Sequence, residues 1–253
     1  MTHVVLEFLS PHPLKKDAGR ALLELWRDLL PEYFPDRCGN SEPIRHPMDT
    51  EHIEEALTFW AWPFLARRRK AKVNCAVFMR HPKNLIHSTF KLDVPHDSSI
   101  QGPLLEFLKK TCTEFEADLG LIHPLTQHEI VRGKIDGTIE SLNTNSTLHS
   151  FYITTHQLRK NLPNLYWATV FGPAYVAFFG RDKLLTSPAP HVAPLTENSI
   201  LIRLSDNLSD LESDFATVDQ SRQVVKEHLD SNAFFDSKQS ALYAYNVPEF
   251  VWK

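Results

Sequence analysis

The feature that most constrains the fold is a pair of strand-like runs joined by a short polar turn. Residues 73–79 are mainly apolar, residues 85–94 mix apolar and polar side chains, and His81-Pro82-Lys83-Asn84 separates the two runs. Two such runs around a turn of this length are typical of a β-hairpin. Because an isolated hairpin is only marginally stable, we expect it to belong to a larger antiparallel sheet.

Amphipathic helices accompany this sheet. Apolar residues at helical spacing predict helices over residues 16–30 and 218–229. We expect a third helix to open at Gly102-Pro103 and to end at Gly120, because glycine commonly terminates helices. A second hairpin is predicted over residues 192–204.

The order of these elements predicts an α+β fold in which helices cover one face of an antiparallel sheet. We expect one domain over residues 1–253. The order also allows a duplicated ferredoxin-like layout with similar halves at residues 1–142 and 147–253. Asn143-Thr144-Asn145-Ser146, between the halves, is the most linker-like stretch of the chain. Many functions use such folds, so the layout assigns none.

Composition narrows the class of protein. The 253 residues are 42% hydrophobic and 23% charged, with a net charge of −4, which does not favour a nucleic-acid or membrane-surface binder. We expect no transmembrane span, since no apolar run approaches about 20 residues. The N-terminus lacks the pattern of an export signal. Three widely spaced cysteines, Cys38, Cys75 and Cys112, favour a reducing compartment. We therefore expect a cytoplasmic protein.

No catalytic or metal-binding motif is recognisable. The thirteen histidines include His123 and His128, but these are five positions apart with a proline between them, unlike the ligands of a helical zinc site. Neither a nucleophile elbow nor a phosphate-binding loop is present. We therefore expect no metal, no cofactor and no enzymatic activity. A site assembled from dispersed histidines and carboxylates remains an alternative, because such groups need only meet in space.

Two charged segments suggest binding surfaces. The stretch from residue 206 to residue 219 contains no lysine or arginine, and its acids are Asp206, Asp210, Glu212, Asp214 and Asp219. Carboxylates can compete for the cationic groove of a nuclease, and we expect the first four to contact a partner. The alternative is an ordinary solvated loop with acids near a helix N-terminus. The basic run Arg67–Lys70 can contact phosphate or an acidic partner, or can be a solvated charge cluster.

The densest aromatic stretch lies between residues 165 and 180. It predicts a buried strand that turns sharply through Gly172-Pro173 into a buried helix ending at Gly180. Tyr166 and Tyr175 carry phenolic hydroxyl groups, so we expect them to line a surface groove if they are not buried with the other aromatic side chains of the stretch.

This stretch resembles a known family. The stretch continues through Arg181-Asp182-Lys183-Leu184-Leu185-Thr186-Ser187-Pro188-Ala189. Together they are similar to a segment of bacterial immunity proteins of the Imm52 type. That segment contains Leu-Tyr-Trp, then Phe-Gly-Pro, then Phe-Gly, and it ends in a sequence like Leu-Leu-Ser-Ala-Pro. The resemblance covers roughly residues 160–205. It implies a cytoplasmic antitoxin that binds a cognate toxin, often a nuclease delivered by a secretion system. The resemblance identifies no functional residue in this chain, because the matched residues look structural.

The leading hypothesis is therefore an immunity protein that binds and neutralises a cognate toxin, which we expect to be a nuclease. Two alternatives stay open. One is an enzyme with a dispersed His/carboxylate site, and the other is a non-catalytic ligand-binding or scaffold protein.

Overall fold

The main structural feature is a large antiparallel sheet, seen in a computed structural model that describes residues 3–97, 99–141 and 149–253. The strands of the described residues are β1 (His3–Ser10), β2 (Arg37–Gly39), β3 (His46–Pro47), β4 (Phe64–Arg68), β5 (Val73–Phe78), β6 (Ser88–Pro95), β7 (Leu119–Pro124), β8 (Ile139–Ser141), β9 (His149–Phe151), β10 (Ala168–Phe171), β11 (His191–Thr196) and β12 (Ser199–Arg203).

Ten of these strands form one sheet in the order β11-β12-β10-β7-β1-β6-β5-β4-β2-β3, and β8 pairs with β9 separately. All the pairings are antiparallel. Both predicted hairpins are present, as β5 with β6 and as β11 with β12. The predicted α+β fold with an antiparallel sheet is therefore confirmed.

Helices occupy most of the connections between strands. They are α1 (Lys16–Leu29), α2 (Ile53–Ala56), α3 (Gln101–Glu114), α4 (Gln127–Asp136), α5 (Thr155–Leu158), α6 (Pro173–Phe179), α7 (Arg181–Leu185), α8 (Asp210–Ser213) and α9 (Phe215–Leu229). The helices predicted over residues 16–30 and 218–229 are confirmed as α1 and α9. None of the helices in the described ranges is long and apolar enough to cross a membrane.

The predicted end of the third helix at Gly120 is wrong. The helix α3 stops at Glu114, and Gly120 lies inside the central strand β7. A Cβ atom at Gly120 would come within 2.2 Å of the Sγ atom of Cys112 on α3. The glycine is therefore required by the close approach of helix and strand, not by a helix terminus.

One face of the sheet carries the aromatic core. The ring of Phe8 on β1 stacks on Phe90 of β6 at 5.4 Å between centroids, and Phe90 meets Trp26 of α1 edge-on at 5.8 Å. Phe107 of α3 also contacts Phe90, at 5.7 Å. The helices α1 and α3 thus cover this face, and burial of their aromatic side chains stabilises the fold.

The opposite face is more polar at its centre. Because side chains alternate along a strand, Glu7 on β1 points away from Phe8, towards residues of the chain that follow β9. Its Oε1 atom accepts a hydrogen bond from the backbone N–H of Ile153 at 3.3 Å. This face therefore contains the ionisable groups described below. The predicted linker at residues 143–146 lies outside the described residues.

The predicted sharp turn between strand and helix is confirmed at Gly172, which separates β10 from α6. Its φ angle is −96°, so the glycine is not there to supply a left-handed conformation. A Cβ atom would instead lie 1.7 Å from the backbone oxygen of Ala117. Close backbone approach is thus the reason for the glycine.

Candidate functional site

The acidic surface consists of Asp206, Asp210, Glu212 and Asp214, which lie between β12 and α9. Asp206, Glu212 and Asp214 are exposed, and Asp210 is half-buried. The structure thus places the four predicted partner-binding residues together on one connection. Their role in binding a partner stays a prediction.

Hydrogen bonds organise part of this surface. The carboxylate of Asp210 accepts a hydrogen bond from the backbone N–H of Asn207 at 2.8 Å. Asp206 pairs with the ring of His191, which lies on β11. An aspartate that receives a backbone N–H within three residues stabilises a turn, so Asp210 has a local structural role as well as an exposed charge.

The fifth acid of the segment belongs to a different environment. Asp219 on α9 forms ion pairs with Arg132 at 2.7 Å and with Arg222 at 3.0 Å. The absence of cations within the segment is therefore compensated at Asp219 by cations from elsewhere in the fold. This carboxylate is not part of the acidic surface.

A charged cluster lies between α4, α9 and β7, and we define it as His123, Glu129, Arg132, Asp219 and Arg222. Arg222 is fully buried and donates to Glu129 at 2.7 Å, while the ring of His123 contacts the other oxygen of Glu129 at 3.0 Å. Burial alone would raise the pKa of Glu129, but the charges of His123 and Arg222 hold it well below its ordinary value. Glu129 is therefore ionised inside the core.

The helix α4 explains how Glu129 is positioned. The side chain of Thr126 caps the helix by accepting the backbone N–H of Glu129 at 3.2 Å. This cap fixes Glu129 at the third helical position, where a carboxylate also interacts favourably with the helix dipole. His123 precedes the cap on β7, so strand and helix together aim both side chains at Arg222.

Glu7 is the second buried carboxyl group on this face of the sheet. It is 1% exposed, and its Oε2 atom has no hydrogen-bond partner among the described residues. Burial raises its pKa to about 8, although Lys91 on β6 opposes the shift. Glu7 is therefore mostly protonated at neutral pH.

A cavity of about 700 Å³ opens between α4, α9 and residues 231–238, and we call it the α4–α9 cavity. Its walls combine aromatic and ionisable side chains, which include Arg132, Asp136, Phe215, Lys226, Phe234 and Phe235. Mixed apolar and polar walls of this volume are typical of small-molecule sites.

Lys226 is the most unusual side chain of this cavity. It is only 9% exposed, and its Nζ atom lies 5.3 Å from the ring centroid of Phe234. Burial, together with the nearby cations Arg222 and Arg132, lowers its pKa to about 7. At neutral pH, Lys226 is thus divided between its ammonium and amine forms.

The histidines do not assemble into a metal centre in the part of the chain that the structure describes, where no group of three or more His, Cys, Asp or Glu side chains is arranged to hold a metal ion. His123 pairs with Glu129, and the ring of His128 stacks on Phe215 at 4.4 Å. The expectation of a metal-free protein stays a prediction.

The proposed surface groove of Tyr166 and Tyr175 is wrong. Both side chains are buried, at 2% and 0% exposure, and the buried alternative for the aromatic stretch is confirmed. The packing reason is visible in their neighbours: Tyr166 meets Phe151 edge-on at 5.5 Å, and Tyr175 stacks on Phe179 at 6.0 Å. Burial raises the pKa of each phenol.

The basic run divides between local contacts and solvent. Arg67 lies on β4 and donates to Glu42 at 2.6 Å, and Arg68 donates to the backbone oxygens of Pro31 and Phe34 at 3.1 Å each. Arg69 and Lys70 follow the strand and are exposed. Two of the four cations thus hold neighbouring segments in place.

Sequence reasoning missed Arg222, Lys226 and Glu7 as buried charges. A signal existed for the first two, because Val218, Arg222, Val225, Lys226 and Leu229 form one buried helical stripe. Glu7 likewise stands at an inward position of an otherwise apolar strand. The burial of each depends on elements distant in sequence, which spacing alone does not reveal.

The sequence matches no known protein family, and no curated protein matches it. Among solved structures, the chain is similar to a protein described as Pseudomonas aeruginosa T6SS protein PA0821, with 10% sequence identity and a TM-score of 0.49 over 97% of this chain and 78% of that one. A likeness of this size carries no conclusion about what the present chain does.

Proposed function

We propose that the chain is a non-catalytic binding protein of the immunity type, which neutralises a cognate toxin, a nuclease, in the cytoplasm. The observation that carries the proposal is the acidic surface, because three of its four acids are exposed on a connection that is anchored to the core.

The anchoring is both apolar and polar. Leu208 and Leu211, which lie between the acids, are buried at 1% and 0% exposure. The side-chain amide of Gln101 on α3 donates to the backbone oxygen of Asp206 and accepts the backbone N–H of Leu208, each at 2.9 Å. A surface held in place in this way loses little conformational entropy on binding, which favours affinity.

The negative charge of this surface indicates the class of partner that it can bind. A nuclease presents cationic side chains to the phosphates of its substrate, and exposed carboxylates at fixed positions are complementary to such a groove. Opposite charges also accelerate encounter, an advantage for an inhibitor that must reach the toxin before the nucleic acid does. The segment that resembles immunity proteins ends near residue 205, directly before these acids.

The buried charges support a binding role over an enzymatic one. Within the charged cluster, the carboxylate of Glu129 pairs with both His123 and Arg222 in the core. Ion pairs enclosed in this way are costly to open, so they fit a structural role better than proton transfer to a substrate. The engagement of His123 and Glu129 with Arg222 therefore supports a binding role.

The test is direct binding to the product of the neighbouring gene. We expect the two purified proteins to form a stoichiometric complex in calorimetry, and the partner to lose its nuclease activity in that complex. The Imm52-type proposal predicts inhibition at equimolar concentration. A neighbouring protein that neither binds nor loses activity would contradict the proposal.

A further inference from the structure

Lys226 is held in the α4–α9 cavity without the partners that a buried ammonium needs. Its Nζ atom lies 5.3 Å from the ring centroid of Phe234, and Asp136 and Asp219 act on it through their charge alone, without a hydrogen bond or close ion pair among the described residues. A charged amine that is 9% exposed and not hydrogen-bonded is disfavoured relative to the neutral amine. The cavity beside it leaves room for a small molecule to reach the nitrogen.

The charges around Lys226 act in the same direction. Arg222, on the same helix, and Arg132, on α4, both lower its pKa, whereas Asp136 and Asp219 oppose them and do not cancel the effect of burial. Further out, the cavity is lined by the ionisable residues His128, Glu227, Asp236 and Lys238. Burial combined with neighbouring cations is the environment that activates lysine as a nucleophile.

We propose that Lys226 binds a small aldehyde or ketone inside the α4–α9 cavity, covalently and reversibly, as an imine. The proposal goes beyond toxin binding and needs no catalytic turnover. Lys226 stands twelve residues after Asp214, about 18 Å along a helix at 1.5 Å per residue, so the two sites are separate.

The chemistry balances without any oxidant or reductant. The lone pair of Lys226 Nζ adds to the carbonyl carbon as the C=O π bond breaks, and one of the two amine protons moves to the oxygen, which gives a neutral carbinolamine. The hydroxyl group then takes a proton from a neighbouring acid and leaves as water while the nitrogen lone pair forms the C=N bond, and the second amine proton returns to the conjugate base of that acid.

Asp136 is placed to assist the loss of water. It lines the same cavity, and its Oδ1 atom accepts hydrogen bonds from the side chain and backbone of Thr138 at 2.6 and 3.0 Å. Burial raises the pKa of this carboxyl group, so a protonated fraction persists to higher pH than for an exposed aspartate. A proton from Asp136 can therefore accompany the departing hydroxyl group.

The test uses glyoxylate as the aldehyde and cyanoborohydride to trap the imine, with peptide mapping by mass spectrometry to compare individual lysines. At pH 7 we expect Lys226 to be modified at least ~10-fold faster than the exposed Lys160, because an ordinary lysine with a pKa near ~10.4 is almost fully protonated there. The Lys226 rate should level off above about pH 8. Modification of Lys226 no faster than that of Lys160 would overturn the proposal.

A pair of variants tests whether the reaction takes place in the cavity. Gln223→Trp places a bulky ring at the cavity wall on α9, one turn before Lys226, and should slow modification of Lys226 at least ~5-fold while leaving Lys160 unchanged. Gln220→Trp is the matched control, since Gln220 is exposed on the same helix but does not line this cavity. Equal rates in the two variants would contradict a reaction inside the cavity.

Discussion

Glu7 is a carboxyl group in the middle of a sheet, and its titration should be visible in the stability of the protein. Its pKa is raised from 4.5 to about 8 by burial, so between these values the folded protein binds a proton that the unfolded chain releases. The free energy of unfolding contributed by this group therefore falls as pH rises from about 4.5 to about 8. Each pKa unit corresponds to about 1.4 kcal/mol, and the whole effect should amount to a few kcal/mol.

Glu7→Gln removes this titration and keeps an oxygen for the N–H of Ile153. We expect the variant to be more stable than the wild type at pH 9 by a few kcal/mol, and close to it at pH 5. Urea unfolding at both pH values measures the difference. An equal effect at pH 5 and pH 9 would show that Glu7 is not desolvated as described.

Lys226 should give the opposite dependence. Its pKa is lowered from 10.5 to about 7 by burial, so the unfolded chain binds more protons between these values and stability rises with pH across this window. The loss of unfolding free energy caused by burying Lys226 is therefore largest below about pH 7 and vanishes above about pH 10.5.

Lys226→Met should therefore stabilise the protein at pH 6 by a few kcal/mol, with a smaller gain at pH 9. The methionine retains an unbranched apolar stem against Phe234. The same unfolding measurement checks this expectation, and Glu7→Gln serves as the control of opposite sign. A gain that grows with pH would contradict the placement of the amine.

At the scale of elements, the turn between β10 and α6 depends on the space available at Gly172. Gly172→Val would force a side chain against the backbone oxygen of Ala117, and overpacking of this kind costs about 3 kcal/mol or more. We expect the melting temperature to fall by roughly 6 °C or more for a chain of this length. Calorimetric scanning measures the shift.

Gly102→Ala is the matched control, because nothing lies within 4 Å of a Cβ atom at that helical position. We expect the control to change the free energy of unfolding by about 1 kcal/mol or less, towards greater stability. A Gly172 variant that melts like the control would show that the glycine is not required for packing.

Local patterns were sufficient for elements that have one exposed face. The helix α1 and the hairpin of β5 and β6 alternate apolar and polar residues with a clear period, and both were predicted. The strand β7 was missed, because all six of its residues are buried and it therefore lacks the alternation of a half-exposed strand. The strands β2 and β3 are two or three residues long, too short for any pattern.

The candidate functional residues were likewise predictable from the sequence only in part. The acidic surface is a property of composition along one segment, so the sequence revealed it. The environment of Lys226 is created by α4 and by Phe234 as well as by its own helix, and Glu7 is buried by the chain that follows β9. Such burial is a tertiary property, which no reading of the local sequence supplies.

At the scale of the whole molecule, the net charge of −4 is small, so any electrostatic attraction to a toxin must come from the local arrangement of charge. The acidic surface supplies such an arrangement, because its four carboxylates lie within nine consecutive residues. Charges at an interface rim act mainly on the rate of association, and salt weakens that effect as the Debye length shrinks from about 30 Å at 0.01 M to about 8 Å at physiological strength.

The variant that replaces Asp206, Asp210 and Asp214 with Asn and Glu212 with Gln should therefore bind the cognate toxin more slowly. We expect a decrease of roughly 10-fold in the association rate at 0.01 M salt, with the difference shrinking to about 2-fold or less at high salt. The fold should survive, since exposed carboxylates contribute little to stability and Asn at position 210 can still accept the N–H of Asn207.

A matched control removes four charges elsewhere, by Gln substitution at the exposed residues Glu32, Glu51, Glu114 and Glu249. Stopped-flow measurement separates a local effect from a change in net charge, because both variants lose the same charge. If the two associate equally fast at low salt, the acidic surface does not guide the encounter and is an ordinary solvated loop.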